Sequence, residues 1–549
     1  MIFPYITSVI YISWRYKITS APRFENYHLF DLYHFKGSLE MFSLAAAMYD
    51  LKSMSYTDSI LLLSCLLLLS SFGYWFIWII YTFWFHPLAR YPGPPLAAVT
   101  NFWYAWAWTS GKWPIIAKEA HDKYGDIVRI APNDLSFITP QAYRDIYGQP
   151  HKGRKIFPKP LIFWKTMNVP GMAHMTDVEE AAASRQMLSP GFSARALRNQ
   201  ERVVQLYADQ FVATLGRLSV ETNKTVNLGD AFNWVTFDVL GELAFGESFD
   251  AVKNAKTHFW TSVVTDANAI QILPGLMIRL PILKLFKPWF MTNEQAGIYE
   301  MHRRLTQEKV RKRIRLGDAV KDDFFSHVLK GELTEERLAS HASVLMVGGA
   351  ETTSVTLTGA ATFLAQDQRR FDKLKDEVRS AFKGTAEIDG ESVARLPYLK
   401  GVLEEALRLF PAVSGFPRAS PGETVDGHYI PEGTVVMADT RTMGRDQRNF
   451  PDPDTFKPER WIDERGSMDR KLVNMTFVPG VRGCMGISMA HMEMRIILAK
   501  LVFAFDWELV DAEGLDLVRG QRQLVMTQKP RILARFHPRG HDVATARLP

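Results

Sequence analysis

Phe477-Val478-Pro479-Gly480-Val481-Arg482-Gly483-Cys484-Met485-Gly486 holds one of the two cysteines in this 549-residue chain. The other, Cys65, lies inside a long uncharged apolar run, so a disulfide or a multi-cysteine metal site is hard to build. Cys484 is a lone thiol in a loop with three glycines and one arginine, and a mostly apolar stretch from Ile487 to Phe505 follows that reads as a buried helix. The helix N-terminus and loop N–H groups aimed at the sulfur would stabilise a thiolate there. Gly480 and Gly486 let the backbone approach a flat ligand closely or take positive φ. Arg482 adds a fork of donors suited to a carboxylate. One metal ligand, no second protein ligand nearby and a carboxylate clamp suit a haem held by a proximal thiolate.

A lone cysteine in a glycine-rich turn is more often an inert thiol, but here a whole spacing is present: Phe-x-x-Gly-x-Arg-x-Cys-x-Gly. It resembles the haem-binding loop of the cytochrome P450 family, with Val478 and Val481 where the family often has a small residue and a proline. By that resemblance Cys484 is the metal ligand, and Phe477, Gly480, Arg482 and Gly486 belong to the cofactor site.

Working outward, Gly348-Gly349-Ala350-Glu351-Thr352-Thr353 lies inside a long helical pattern that starts near Glu335. Paired glycines cost a helix about 1 kcal/mol each relative to Ala, so they need a reason. A helix that opens against a flat cofactor and a small gas molecule supplies one. The stretch resembles the family's oxygen-activating motif, with Glu351 as proton donor and Thr352 as hydroxyl relay, and Gly348 facing substrate. Glu405 and Arg408, one helical turn apart, and Arg460 resemble the family's buried ion network, a structural role. Pro411 to Arg418 would run past the cofactor, with Arg418 on a propionate and Val413 and Phe416 facing substrate. Arg185 matches a second propionate arginine. Two departures stand out: Ala181 replaces an aromatic or His four residues before Arg185, and Gly444 replaces a common His before Arg445-Asp446. The resemblance covers about residues 86 to 535.

Composition is compatible with a large globular core: 47% hydrophobic, 23% charged, net charge +6. No zinc-like spacing, Walker loop or basic-aromatic repeat occurs, which argues against nucleic-acid binding. Ser59 to Phe85 carries no charge and gathers Trp75, Trp78, Tyr81 and Trp84 in its second half, as a membrane span with an aromatic belt does. The first 58 residues hold five basic and five acidic side chains, so charge gives no clear orientation. His86 to Pro95, with Pro87, Pro92, Pro94 and Pro95, reads as a stiff hinge. Tyr124 to Thr139 alternates as a hairpin turning at Pro132-Asn133. The apolar insert Ile270 to Phe290 reads as a lid over a substrate channel rather than plain core. The basic run His302 to Arg315 reads as a solvated face that could meet an acidic redox partner. Sequons at Asn223 and Asn474 would stay unmodified on a cytosolic domain.

These readings predict a mainly α fold with a small β subdomain, behind a single N-terminal transmembrane helix. The expected division is an extension over 1–58, an anchor over 59–85, a hinge over 86–95 and a catalytic domain over 96–540. The resemblance implies a monooxygenase with haem b (iron protoporphyrin IX), using NADPH through NADPH–cytochrome P450 reductase, with cytochrome b5 as an optional second donor. It further implies an apolar small-molecule substrate from secondary metabolism (a terpenoid, polyketide or alkaloid) and a single-pass endoplasmic reticulum location with a cytosolic catalytic domain. A haem-thiolate isomerase or dehydratase, or a non-enzymatic membrane haem-binding protein, are the alternatives. The Glu-Thr-Thr stretch argues against the former and the distal helix against the latter.

Overall fold

The computed structural model describes residues 55–149, 153–164, 169–222, 225–263, 272–287, 293–316, 324, 333–462 and 475–540. Both sequons, most of the N-terminal extension and the ends of the apolar insert lie outside these residues. The chain divides into two units at Ile79–Ile80, the first of them described from residue 55 onward. Helix α1 (Tyr56–Ile80) buries none of its side chains and is apolar on all sides beyond its first turn apart from scattered serines. With the turn Tyr81–Phe85 it forms the one helix among the described residues long and apolar enough to cross a membrane.

The second unit opens with the proline-rich segment. Gly93 is required there: a Cβ would lie 2.2 Å from the Arg129 carbonyl, and Pro92 accepts a hydrogen bond from Arg129 N at 2.8 Å. The segment thus lies along strand β1 (Ile127–Ala131), which turns at Pro132-Asn133 into β2 (Asp134–Phe137). A four-stranded sheet is completed by β3 (Arg418–Ala419) and β4 (Val435–Ala438), in the order β1-β2-β4-β3. The β2–β4 pair is parallel.

The larger part is helical. Helix α2 (Val178–Leu188) starts at an Asp177 cap accepting from Glu180 N at 2.8 Å. Helix α3 (Asn293–Leu316) and helix α4 (Glu335–Met346) follow, and α4 widens over Val347–Glu351 into a π turn before continuing as α5 (Thr352–Gln366). Helices α6 (Pro397–Leu409) and α7 (Ile487–Ala504) pack with α5 around one large buried core. The cysteine loop leads straight into α7.

The two glycines of the π turn have different reasons. A Cβ on Gly349 would press on Leu240 at 2.8 Å, so that position allows close helix packing. Gly348 has nothing within 4 Å of its missing Cβ and opens on a cavity.

The described part of the apolar insert packs beside the sheet, and its Arg279 lines an open cavity together with Lys159. Among its described residues, Ile272–Arg279 forms a helix whose Leu276 joins Leu280, Tyr104, Trp108 and Trp113 in a core cluster beside the sheet. Arg279 pairs with Asp134 through bonds of 3.1 and 2.5 Å, both side chains buried. Ile282 and Leu285 are exposed, and none of the described insert residues lines the central cavity. The basic run is also partly tied down: Lys309 and Lys312 both reach Glu247, Arg311 pairs with Glu335 at 2.6 Å, and His302 and Arg313 are buried. A uniformly solvated face is excluded because one side of α3 packs inward.

Candidate active site

One cavity gathers the sequence-predicted residues from elements far apart in the chain. Cys484, Gly486, Phe477 and Arg482 line it from the C-terminal loop, Thr352 and Gly348 from the widened helix, Arg185 from α2, and Val413, Phe416 and Arg418 from the segment after α6. Two expected residues are not among its lining. Gly480 sits at φ +77 with its missing Cβ 2.3 Å from the Tyr147 carbonyl, so its glycine serves the packing of the loop and not a ligand. Glu351 projects away from its neighbour Thr352. Its Oε1 lies 2.9 Å from Lys529 Nζ, and both side chains are buried. Lys529 also donates to Asn233 Oδ1 at 2.8 Å and Ser354 Oγ at 3.1 Å. That cluster lines a separate polar inlet with Asp230 and Thr257.

The cysteine loop is closed by Cys484 N donating to the Phe477 carbonyl at 2.8 Å and Gly483 N donating to the Gly480 carbonyl at 3.0 Å. Val478 takes φ +57, which is strained for a β-branched residue and explains why a small residue suits that position. The sulfur faces the cavity. Burial pushes the Cys484 thiol up from its ordinary pKa, and the Gly486 N–H and the Arg185 charge only partly offset it. The expected stabilising groups are in place, the Gly486 N–H and the Arg185 charge both favouring the thiolate. A cation bound at the sulfur would favour the thiolate further.

Three arginines converge on the same cavity. Arg185 Nη1 donates to the Gly483 carbonyl at 2.8 Å, Arg482 Nη2 to the Met175 carbonyl at 2.6 Å, and Arg418 stacks on the Tyr147 ring at 5.2 Å. Among the described residues none of the three has a carboxylate within ion-pair distance. Burial and mutual repulsion push the Arg482 pKa down to about 10. Lys159, which donates to the Ala173 carbonyl, and His174 line the cavity beside them. Burial, with the Arg418, Arg482 and Arg185 charges, lowers the Lys159 pKa well below its usual value. Concentrated positive charge with polar atoms left over, such as the buried Arg482 Nε and Thr476 Oγ1, calls for a dianion. A cofactor with two carboxylates and a thiolate-binding metal fits this donor set.

Sequence reading missed Lys159, His174, His302, Ser343 and Glu493, which also line the cavity. Glu493 is fully buried on α7 with Oε1 unpartnered, and burial raises its pKa far above the carboxylate range. Ala181 is fully buried, so the expected aromatic contact is absent there.

The structural trio is compact. Glu405 accepts from Arg408 Nε and Nη2 (2.8 and 2.7 Å), Arg460 Nε (2.9 Å), Trp461 Nε1 (2.8 Å) and Lys457 N (2.9 Å). The departure at Gly444 has a reason: a Cβ would meet Met475 Cε at 2.8 Å and Arg408 Cγ at 3.2 Å, and the Gly444 carbonyl accepts from Arg408 Nη1.

A helical unit with a small sheet, a cysteine loop against a widened helix and a cationic cradle together define a haem-thiolate protein. The cytochrome P450 family model matches residues 92–535, and the chain belongs to that family. It is 38% identical over 445 residues to the cytochrome P450 monooxygenase BOA3 of Botryotinia fuckeliana, covering 78% of this chain and 88% of that one. It is 36% identical to btcC of Colletotrichum orbiculare (84% and 91% covered) and 36% identical to poxC of Penicillium oxalicum (80% and 87% covered), both cytochrome P450 monooxygenases. The protein is thus a cytochrome P450 monooxygenase whose family implies haem, a redox partner and a small-molecule substrate.

Proposed function

We propose that this enzyme inserts one oxygen atom into a C–H or C=C bond of an apolar small molecule of secondary metabolism, as a terpenoid, polyketide or alkaloid tailoring step. For a hydroxylation the balance is RH + O₂ + NADPH + H⁺ → ROH + H₂O + NADP⁺, with NADPH–cytochrome P450 reductase as donor and cytochrome b5 as a second source of electrons. The observation that carries the reading is that Thr352 and Gly348 line the same cavity as Cys484, across from a cationic cradle. Haem, when bound, supplies oxygen activation, and the protein supplies orientation and electrostatics.

Cys484 is the metal ligand in this reading, with Phe477 and Gly486 shaping the loop around it. Arg185, Arg418 and Arg482 hold the cofactor carboxylates, joined by Lys159. Val413 and Phe416 orient the substrate. Thr352 holds a proton at Oγ1, which donates to the Gly348 carbonyl at 2.6 Å and leaves its lone pairs for the cavity. Glu351 takes protons from the polar inlet, and its passage to Thr352 requires release from Lys529. Glu405, Arg408 and Arg460 brace the fold behind the cofactor.

Residues 59–85 form a single-pass anchor in the endoplasmic reticulum, 86–95 a hinge, and 96–540 the cytosolic catalytic domain. Exposed Phe102, Trp106, Ile282 and Leu285 support a catalytic domain that rests on the bilayer surface. The deciding experiment compares product formed per NADPH consumed, and peroxide released, in wild type and Thr352→Ala with purified reductase. Thr352→Ala keeps haem and NADPH use and shifts the outcome from product to peroxide. An unchanged product ratio at full activity removes Thr352 from the proton path, and the absence of reductase-driven NADPH use removes the monooxygenase reading.

A further inference from the structure

Beyond the family's own residues, the cavity has a polar feature on its wall at α4. His302 of α3 is buried there, and its Nδ1 accepts from the Trp260 indole N–H at 3.0 Å. An indole nitrogen only donates, so Nδ1 must carry a lone pair. The proton of the neutral ring is therefore on Nε2, which lies 2.7 Å from Ser343 Oγ. Nε2–H donates and Ser343 Oγ accepts. Burial lowers the His302 pKa to about 4, so the neutral ring holds at physiological pH.

This fixes what Ser343 can do. Its oxygen is already an acceptor, and its own hydroxyl proton remains to be placed. Helical Ser and Thr commonly spend that proton on the carbonyl four residues back. Thr352, Thr356, Thr358 and Thr362 do so, at 2.6, 3.1, 2.7 and 2.7 Å. Ser343 does not, and among the described residues no acceptor takes its proton. Both Ser343 and His302 line the cavity, between apolar Val344, Leu345 and Val347. A hydroxyl proton facing an apolar wall costs roughly 1–3 kcal/mol if nothing accepts it.

We propose that Ser343, oriented by the Trp260–His302 relay, is a hydrogen-bond donor that anchors a carbonyl, ether or hydroxyl oxygen of the substrate. Ser343 precedes Thr352 by nine residues across the π turn, at most about 13 Å at the α-helical 1.5 Å per residue. The substrate is accordingly an apolar skeleton with an oxygen at one end and its oxidised carbon remote from it. The position of oxidation rests on the monooxygenase reading, whereas the hydrogen bond does not.

The test uses ligands whose binding is secured by iron coordination. Full-length haem-loaded protein is titrated with 1-dodecylimidazole and 1-(11-oxododecyl)imidazole, and with the short pair 1-hexylimidazole and 1-(5-oxohexyl)imidazole, following the Soret shift. The long ketone gains about 2- to 10-fold over its alkane in wild type relative to Ser343→Ala, as one net hydrogen bond predicts. Ser343→Thr keeps the gain. Trp260→Phe loses it, because Nδ1 can then hold the proton and leave Ser343 donating to Nε2. The short pair shows no Ser343-dependent preference. A ketone preference that survives Ser343→Ala overturns the proposal, one that survives Trp260→Phe overturns the relay, and an equal dependence in the short pair overturns the spacing. A normal CO-difference spectrum in each variant, with reductase-driven NADPH use measured on the wild type, keeps these failures distinct from failure of the monooxygenase reading.

Discussion

Glu405→Gln is the substitution whose cost can be worked from geometry. The glutamine is nearly isosteric, so packing is preserved and the change is one of charge and hydrogen-bond sense. Glu405 has no exposed side-chain surface, and neither has Arg408. Oε1 accepts from Arg408 Nη2, Lys457 N and Arg460 Nε, while Oε2 accepts from Arg408 Nε and Trp461 Nε1. Placing NH₂ at Oε2 sets a donor against two donors, and the opposite flip sets it against three. Arg408 then keeps carbonyl partners at Gly444 and Pro453 but loses its buried counter-charge. Removing one partner of a buried pair costs about 3–5 kcal/mol, a large part of a total stability of roughly 5–15 kcal/mol. With an unfolding entropy of about 2.1 cal/mol/K per residue over the larger unit, that is a fall of roughly 3–5 °C in apparent Tm. The assay is thermal denaturation followed in the Soret band, with the yield of thiolate-type CO complex alongside. Burial opposes the Glu405 charge, but the two arginines overcome it and hold its carboxyl below the usual 4.5. A depressed pKa contributes stability above the unfolded value and loses it as pH falls through the folded one. The gap between wild type and variant is therefore constant above the ordinary carboxylate range and closes in acid below it. A variant within about 1 °C of wild type, with full haem content, refutes the reasoning, since a real counter-charge cannot be removed that cheaply.

Cys484→Ala yields protein without stable haem, and a thiolate-type CO band at the wild-type position would exclude Cys484 as ligand. Glu351→Gln slows the proton-dependent step about 10²- to 10⁴-fold while haem content is kept. The solvent deuterium isotope effect on turnover rises with it, a response that a purely structural ion pair would not give. Deleting residues 1–85 moves much of the protein out of the membrane fraction with haem incorporation intact, read by fractionation and CO spectrum. A deletion that never takes up haem would make the span part of the folded core.

The parts of the site legible in the sequence are those whose chemistry depends on local spacing. The cysteine loop needs glycine at Gly480 for a positive φ against Tyr147, and the distal helix needs Gly348 and Gly349 to open and to pack. Glu405 and Arg408 sit one turn apart, which a sequence displays directly. Residues that reach the site only through tertiary folding left no such signal. Lys159 lies in irregular chain, and only the shared cavity puts it beside Arg185, Arg418 and Arg482. His302 sat within a run read for its charge, yet helical periodicity turns it inward while Arg303 stays exposed. For the apolar insert, composition alone cannot tell which apolar surface a segment will cover. Leu276 and Leu280 found the aromatic cluster beside the sheet.

The Glu351–Thr352 pair shows how adjacency in sequence can mislead. Successive residues on a helix point about 100° apart, so neighbours can face different spaces. Thr352 lines the cavity with Cys484, and Glu351 faces the inlet with Lys529, Asn233 and Asp230. The turn from Leu524 to Lys529 borders both spaces: Val525 and Met526 line the cavity, and both also line the inlet. A carboxylate held by a buried lysine cannot hand over a proton while the pair stays closed. If Glu351 serves the reaction, the limiting event is the opening of its pair with Lys529, and Lys529→Met removes that barrier. The variant should then speed NADPH consumption while peroxide rises, because the inlet no longer waits for the clamp. Tm falls in either case, because Glu351 loses its buried partner; a lysine that only stabilises the fold leaves the split between product and peroxide unchanged, so that split separates a gate from a brace.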